Sequence, residues 1–263
     1  MYPYSLFLGI DLYTIFLCAG VAAAIIVFRL LSEKKKMYWR VQNLVVISAA
    51  LSIMCGYFSA VFFQALYNIE ERGGFIIDAY TGATFYGGLI GGAACFLTVY
   101  FVVGHFTLKN KEHLKSFFDV ADIGAASIAV AHGLGRIGCL MAGCCHGGAT
   151  EEWYGIYMMA LDMKVVPTQL WEALFLFLLF AVLLWRNIKE KSYGLPIYMA
   201  TYGVWRFVFE FVRKDDRGST LVDFLTPSQL IALIMIIGSV VVFFVQRRMT
   251  NISKPKDEEM VYE

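Results

Sequence analysis

The sequence predicts an all-α, polytopic integral membrane protein of about seven transmembrane helices, and three observations carry that prediction. Of 263 residues, 59% are hydrophobic and only 16% charged, and the mean hydropathy is +0.63, far from the balance of soluble domains. The apolar residues run in continuous stretches near the ~20 helical residues needed to cross a hydrocarbon layer of about 30 Å. These runs do not alternate in polarity, as barrel strands of about ten residues would. A net charge of +1 gives no reason to expect a nucleic-acid partner.

Taken in order, the stretches cover 6–31, 41–66, 84–106, 117–140, 170–185, 193–212 and 229–246, the fifth being the shortest. The start Met-Tyr-Pro-Tyr-Ser lacks a basic n-region, so segment one is expected to stay rather than be cleaved as a signal peptide. Lys34, Lys35, Lys36 and Arg40 follow segment one, and Lys109, Lys111 and Lys115 follow segment three. Arg186, Lys189 and Lys191 follow segment five, and Arg247, Arg248, Lys254 and Lys256 follow segment seven. These make 14 of the 22 basic residues on one side, against Arg72, Lys164, Arg213, Lys214 and Arg217 on the other. The positive-inside rule then puts the N-terminus outside and the C-terminus in the cytoplasm. One domain is expected over 1–249, with an outer loop at about 144–169 and a polar cytoplasmic tail at 250–263.

Ionisable groups at membrane depth are costly and point to function. Arg136 lies about 28 Å along segment four and Arg206 about 20 Å along segment six, at 1.5 Å per helical residue, which puts both in the outer half of the membrane. His132, Arg136, Cys139 and Gly143 share one helix face, as do Tyr202, Arg206, Glu210 and Arg213 on segment six. Two guanidinium groups from separate helices suit a multidentate anion, and a phospholipid headgroup is the anion a bilayer offers. A plainer arrangement also fits: Arg206 pairs with Glu210 one turn on, while Arg136 snorkels outward.

Gly87/Gly91 and Gly88/Gly92 form two overlapping small-xxx-small spacings, a helix-packing device. Gly133, Gly135, Gly138, Gly143, Gly147 and Gly148 instead suggest a helix end that opens into an irregular loop, where backbone can approach a ligand.

Four blocks then bring a known family into view: Phe-Tyr-Gly-Gly-Leu-Ile-Gly at 85–91, Gly-Arg-Ile-Gly at 135–138, Pro-Thr-Gln-Leu-Trp-Glu at 167–172, and Tyr-Gly-Val-Trp-Arg-Phe-Val-Phe-Glu-Phe-Val-Arg at 202–213. In this order they resemble the bacterial prolipoprotein diacylglyceryl transferases. The resemblance implies a multi-pass enzyme of the bacterial inner membrane, with no cofactor or metal. It would move a diacylglyceryl group from phosphatidylglycerol to a lipoprotein-precursor cysteine, releasing glycerol phosphate. It also implies that Arg136 is the signature arginine, that Tyr202 and Arg206 are the Tyr-x-x-x-Arg pair, and that Gln169 and Glu210 fall at shared positions. Tyr86, Gly87, Gly88, Gly135 and Gly138 lie in the same blocks and are taken as lining the lipid site. Preorganised arginines would stabilise the charge gained by a leaving phosphate.

The chain departs from the family pattern at two places. Tyr86 stands where the family has histidine. The signature, which in the family continues Gly-Asn-Phe-x-Asn-Gly-Glu, here reads Gly138, Cys139, Leu140, Met141, Ala142, Gly143, Cys144, so an asparagine and a carboxylate have become cysteines.

Cys18, Cys55 and Cys95 sit singly in apolar runs and act as small hydrophobes, whereas Cys139, Cys144 and Cys145 cluster beside His146. Four readings stay open for the cluster: a disulfide, a metal site without the usual C-x-x-C spacing, a thiolate activated by Arg136, or a packing corner. His132, one turn before Arg136, suits a general base. Trp153, Tyr154, Tyr157, Met158 and Met159 suit an amphipathic arm in the interface. Two other functions fit the same scaffold: a thiol-redox or metal-sensing membrane protein, and a phospholipid-binding or transport paralogue without catalysis.

Overall fold

The computed structural model describes residues 5–7, 9–78, 80–159, 161–212 and 225–252. Arg213 and the tail from 253 lie outside them. Seven long helices account for most of the described chain: α1 Leu12–Lys34, α2 Trp39–Tyr67, α3 Phe85–Thr98, α4 Phe117–Ala142, α5 Thr168–Ile188, α6 Gly194–Phe209 and α7 Pro227–Ile252. A π-turn at Val99–Val103 and a helical turn at Gly104–Thr107 continue α3. Among the described residues, six helices are long and apolar enough to cross a membrane.

The lengths differ from the sequence reading at segments five and six. The fifth is a full 21 residues, because the helix takes in Thr168 and Gln169 at one end and Asn187 at the other, all buried. The short one is the sixth, α6, with 16 residues. Its last part tightens into a 3₁₀ turn at Glu210–Val212.

The helices form two compact units, one of Met1–Lys34 with Ala121–Glu263, the other of Lys35–Val120. In the second unit, glycines bring α2 and α3 together. A Cβ on Gly91 would come within 2.3 Å of the Ser59 Cβ, one on Gly87 within 2.8 Å of the Phe63 Cβ, and one on Gly88 within 3.4 Å of the Ala60 Cβ. At that separation the Ser59 hydroxyl reaches across to donate to the Gly87 carbonyl at 2.8 Å. Gly87 and Gly88 are therefore accounted for by helix packing without any ligand. Tyr86, partly buried on the same helix, packs edge-on against Phe85. In the loop before α3, the Arg72 guanidinium grips both Asp78 oxygens, at 2.9 and 3.0 Å, and holds that carboxyl below its usual range.

In the first unit, strands β1 Ser5–Phe7 and β2 Ile10–Asp11 form a small hairpin that leads into α1. Asp11 caps α1 by accepting the Thr14 N–H at 2.8 Å. Close approaches again rest on glycine: Gly20 of α1 against the Ala131 carbonyl, and Gly203 of α6 against the Ala232 carbonyl and the Ile236 side chain. The outer loop holds a second hairpin, β3 Ile156–Met158 with β4 Met163–Val165. Its inward residues Met158 and Val165 are buried with Leu140 at the end of α4. The aromatic and methionine residues expected to form an amphipathic arm thus lead into strands, with Trp153 91% exposed.

One end of this unit is tied by Asp122 on α4. Its carboxylate accepts the backbone N–H groups of Tyr193 and Leu195 at 3.0 and 2.9 Å and the Gln246 amide at 2.9 Å. Its own carbonyl takes the Asn187 amide at 3.2 Å. A carboxylate lent by α4 thus satisfies the opening N–H groups of α6, where no local side chain caps the helix.

Two outcomes follow. Asp122→Ala strands three donors, two at the start of α6 and one on α7, and is expected to cost about 3 kcal/mol, read as a lower thermal midpoint in detergent; an unchanged midpoint contradicts this role. Gly91→Ala is expected to destabilise by about 1–3 kcal/mol through overpacking, and adding Ser59→Gly should recover most of the loss because it removes the atom the new methyl meets.

Candidate functional site

The residues at depth on α4, α5 and α6 meet around one carboxylate. Glu172 lies one turn into α5 and its side chain is fully buried. Its Oε2 is 3.0 Å from the Arg136 Nε, and its Oε1 accepts the Tyr202 hydroxyl at 2.9 Å. The His132 Nε2 lies 3.9 Å from the same Oε1, and the His132 ring stands edge-on to Tyr202 with centroids 5.1 Å apart. Tyr198 stacks behind Tyr202, nearly parallel, at 5.8 Å.

His132 and Arg136 face the same way because α4 stays helical through Gly133, Gly135 and Gly138 and ends only at Ala142. The expected opening of the helix along this glycine run does not occur before Gly143. Gly133 makes room for the Phe177 ring, and Gly138 for Tyr13 and Phe16 of α1. Gly135 meets only a Leu17 methyl, at 3.9 Å from its Cβ position, an ordinary contact.

Arg206 has its own carboxylate. Its Nη2 is 2.8 Å from Glu210 Oε2 and donates to the Ser228 hydroxyl at 2.9 Å. Glu210 Oε1 accepts the Thr226 hydroxyl at 3.0 Å. The partners come from the start of α7, where Thr226 and Gln229 form a reciprocal capping box: the Gln229 N–H donates to the Thr226 hydroxyl at 3.2 Å, and the Thr226 N–H to the Gln229 side chain at 3.1 Å. Pro227 occupies the first helical position, where its missing N–H costs nothing.

Both arginines are thus anchored, as the plainer sequence reading had it for Arg206. Arg136 does not snorkel outward; it is turned onto Glu172, with its side chain 15% exposed. The two groups are still electrostatically connected, since Glu172 lies in the field of Arg136, His132 and Arg206 together. Among the described residues the Arg136 Nη atoms make no hydrogen bond; the guanidinium meets Glu172 along its Nε edge, as an ion pair rather than a hydrogen bond.

Sequence reasoning missed Glu172, Thr226, Ser228 and Gln229. The signals were present: an acidic residue three positions after Gln169 in an apolar helix, and Thr-Pro-Ser-Gln at 226–229 as a capping box. Of the residues expected to meet the lipid, Tyr202 donates its hydroxyl to Glu172, while Glu210 is ion-paired with Arg206 and accepts the Thr226 hydroxyl. Gln169 donates to the Cys144 carbonyl, and Thr168 donates to the Cys145 carbonyl at 3.0 Å, pinning the loop after α4 to the start of α5.

That loop gathers three thiols. Gly143, at φ +75°, closes α4 in a Schellman turn: the Cys144 N–H donates to the Cys139 carbonyl at 3.1 Å and the Gly143 N–H to the Leu140 carbonyl at 3.2 Å. This cap brings the residues at its two ends together, here Cys139 and Cys144. Cys145, at φ +63°, then turns back, and the three sulfurs lie within 4.8 Å of one another. None of them is in a disulfide. Hydrogen bonding to Cys139 and then to Cys145 pushes the Cys144 thiol above its ordinary range. His146 stands outside the trio, its Nδ1 2.7 Å from the Gly147 carbonyl.

Removing one partner of the central pair leaves a buried charge. Glu172→Ala is expected to cost about 3–5 kcal/mol, while the double variant Arg136→Met with Glu172→Leu should regain most of it. A double variant no more stable than Glu172→Ala would show that the pair is there for stability rather than for a ligand.

Comparison with known proteins points to the same family. The family model described as prolipoprotein diacylglyceryl transferase matches residues 3–245. A phosphatidylglycerol–prolipoprotein diacylglyceryl transferase of Clostridium tetani (strain Massachusetts / E88) is 32% identical over 243 residues, covering 89% of this chain and 92% of that one. One from Clostridioides difficile (strain 630) is 29% identical over 255 residues, covering 94% and 96%. A protein named as the second such transferase of Clostridium perfringens (strain 13 / Type A) is 36% identical over 177 residues, covering 65% of this chain and 64% of its own length.

Proposed function

The chain belongs to the prolipoprotein diacylglyceryl transferase family, and from that premise we propose that it transfers a diacylglyceryl group from phosphatidylglycerol to the cysteine thiol of a lipoprotein precursor. The relatives are named for this donor and acceptor. The observation that carries the reading is the Arg136 guanidinium, ion-paired along its Nε edge at 3.0 Å with a fully buried carboxylate and making no hydrogen bond through its fork among the described residues. A fork held this way suits the two oxygens of a phosphodiester.

In this mechanism Arg136 binds the phosphate and stabilises the charge it gains as the glyceryl C–O bond breaks. Arg206, steadied by Glu210 and Ser228, adds positive field from α6. His132, in contact with Glu172 and Tyr202, takes the proton of the incoming thiol. The enzyme sits in a bacterial inner membrane with seven spans. Its N-terminus is outside and its basic loops are in the cytoplasm, which places the arginines toward the outer leaflet.

The test is transfer from labelled phosphatidylglycerol to a peptide bearing a lipoprotein-type cysteine. Arg136→Ala is expected to lower the rate by about 10²–10³, the usual effect of removing a group that stabilises transition-state charge. Arg136→Lys should recover little, because an ammonium lacks the fork. Wild-type transfer in Arg136→Ala would overturn the assignment.

A further inference from the structure

The thiol trio remains without a role in that mechanism, although it begins one turn after Arg136. We infer that Cys139, Cys144 and Cys145 hold a zinc-class ion through three thiolates and leave a fourth position for the thiol of the acceptor. Three sulfurs around zinc, each at about 2.3 Å in a tetrahedral arrangement, stand about 3.8 Å apart. The sulfurs here lie within 4.8 Å of one another, so side-chain rotation alone closes the site. Thiolates select soft or borderline ions over magnesium and calcium.

Three features make this more than a chance cluster. The backbone is fixed by the Schellman turn at Gly143 and by the donors from Thr168 and Gln169. Cys144 is exposed while Cys139 and Cys145 are partly buried, so an ion has a way in and is then enclosed. A divalent ion with three thiolates carries one net negative charge, and the Arg136 guanidinium lies within electrostatic reach of Cys139 and Cys145.

Three protein ligands with one open position describe a catalytic zinc site rather than a structural one. A thiol entering that position is deprotonated on coordination. The acceptor role rests on the transfer proposed above. In that step the acceptor S–H proton leaves to His132 or water, the sulfur forms a bond to the glyceryl carbon, and the C–O bond to the phosphate breaks. The phosphate leaves with the electron pair and is held by Arg136. No oxidant is needed, and the site replaces polar groups, an asparagine and a carboxylate in the family signature, with a Lewis acid beside the anion site.

Cobalt(II) reports both parts directly. The purified full-length protein in detergent, with thiols reduced, is expected to bind one cobalt ion and show the strong sulfur-to-metal absorption of a tetrahedral thiolate site. Zinc should displace it. Cys139→Ser and Cys144→Ser should each lose most of this absorption, and in the wild type bound zinc should protect three thiols from alkylation, a readout that does not depend on the variants folding. Adding the acceptor peptide should shift the cobalt spectrum, whereas its serine version should not. No stoichiometric binding, or binding unchanged in both variants, overturns the site; a spectrum indifferent to the peptide overturns the acceptor role. Undiminished transfer without bound metal would sink the acceptor role of the ion alone, and metal bound without transfer would sink the transferase reading alone.

Discussion

A single buried carboxylate organises the functional end of this protein. Glu172 receives Arg136 from α4 and Tyr202 from α6 while it sits on α5, so three helices are joined through two oxygens. A charge taken out of water carries a desolvation cost of several kcal/mol, which an ion pair offsets only with good geometry and added hydrogen bonds. The tyrosine hydroxyl and the nearby His132 supply part of that compensation. An apolar trio of similar volume would hold the helices at least as well. Retaining charge here is therefore not accounted for by stability alone.

The rest of the architecture makes such a centre possible. In lipid there is no hydrophobic drive between helices, so they associate by close packing and a few interhelical hydrogen bonds. Gly20 and Gly203 let backbones approach in the first unit, and Gly87, Gly88 and Gly91 do so in the second. Asp122 closes one end of the first unit by serving the opening N–H groups of α6. At the other end the capping box at 226–229 presents Ser228 and Thr226 to the Arg206 and Glu210 pair. A helix start is thus used twice, for its own orphan donors and to fix a cation at depth.

Much of this was legible in the residues and some was not, for reasons that differ by position. Hydropathy located all seven long helices, because length and apolar continuity are properties of the chain alone. It misjudged α5, since Thr168, Gln169 and Asn187 read as loop but are buried through hydrogen bonds that only the folded helices provide. Helical periodicity placed His132 and Arg136 on one face correctly. The glycine run beside them reads as a helix end opening into a loop, which holds from Gly143 onward, whereas Gly133 and Gly138 stay inside α4 because a glycine needed for a neighbour's bulk, such as Phe177 against Gly133, looks in sequence like one needed for flexibility. The pairing of Arg136 with Glu172 is invisible in sequence, since Glu172 is 36 residues away and no local spacing connects the two. The cysteines were visible as a cluster, but their convergence depends on Gly143 taking a left-handed conformation, which turns separation along the helix into contact.

The charge pattern also bears on how such a site handles its ligands. Arg136, Arg206, Glu172 and Glu210 sum to zero formal charge, so the empty site is not a strong attractor for stray anions and its burial is less costly than that of two bare guanidiniums. A phosphodiester brings one negative charge, which the unspent fork of Arg136 can accept in a site where water is scarce and each interaction counts for more. The leaving group gains a second charge when the ester bond breaks. In the transition state that gain is stabilised by the arginines at short range. Once the product is free to move, the two carboxylates that oriented those arginines oppose a dianion more strongly than a monoanion. On the proposed reaction, the groups that preorganise the site for catalysis thereby also favour release of the phosphate.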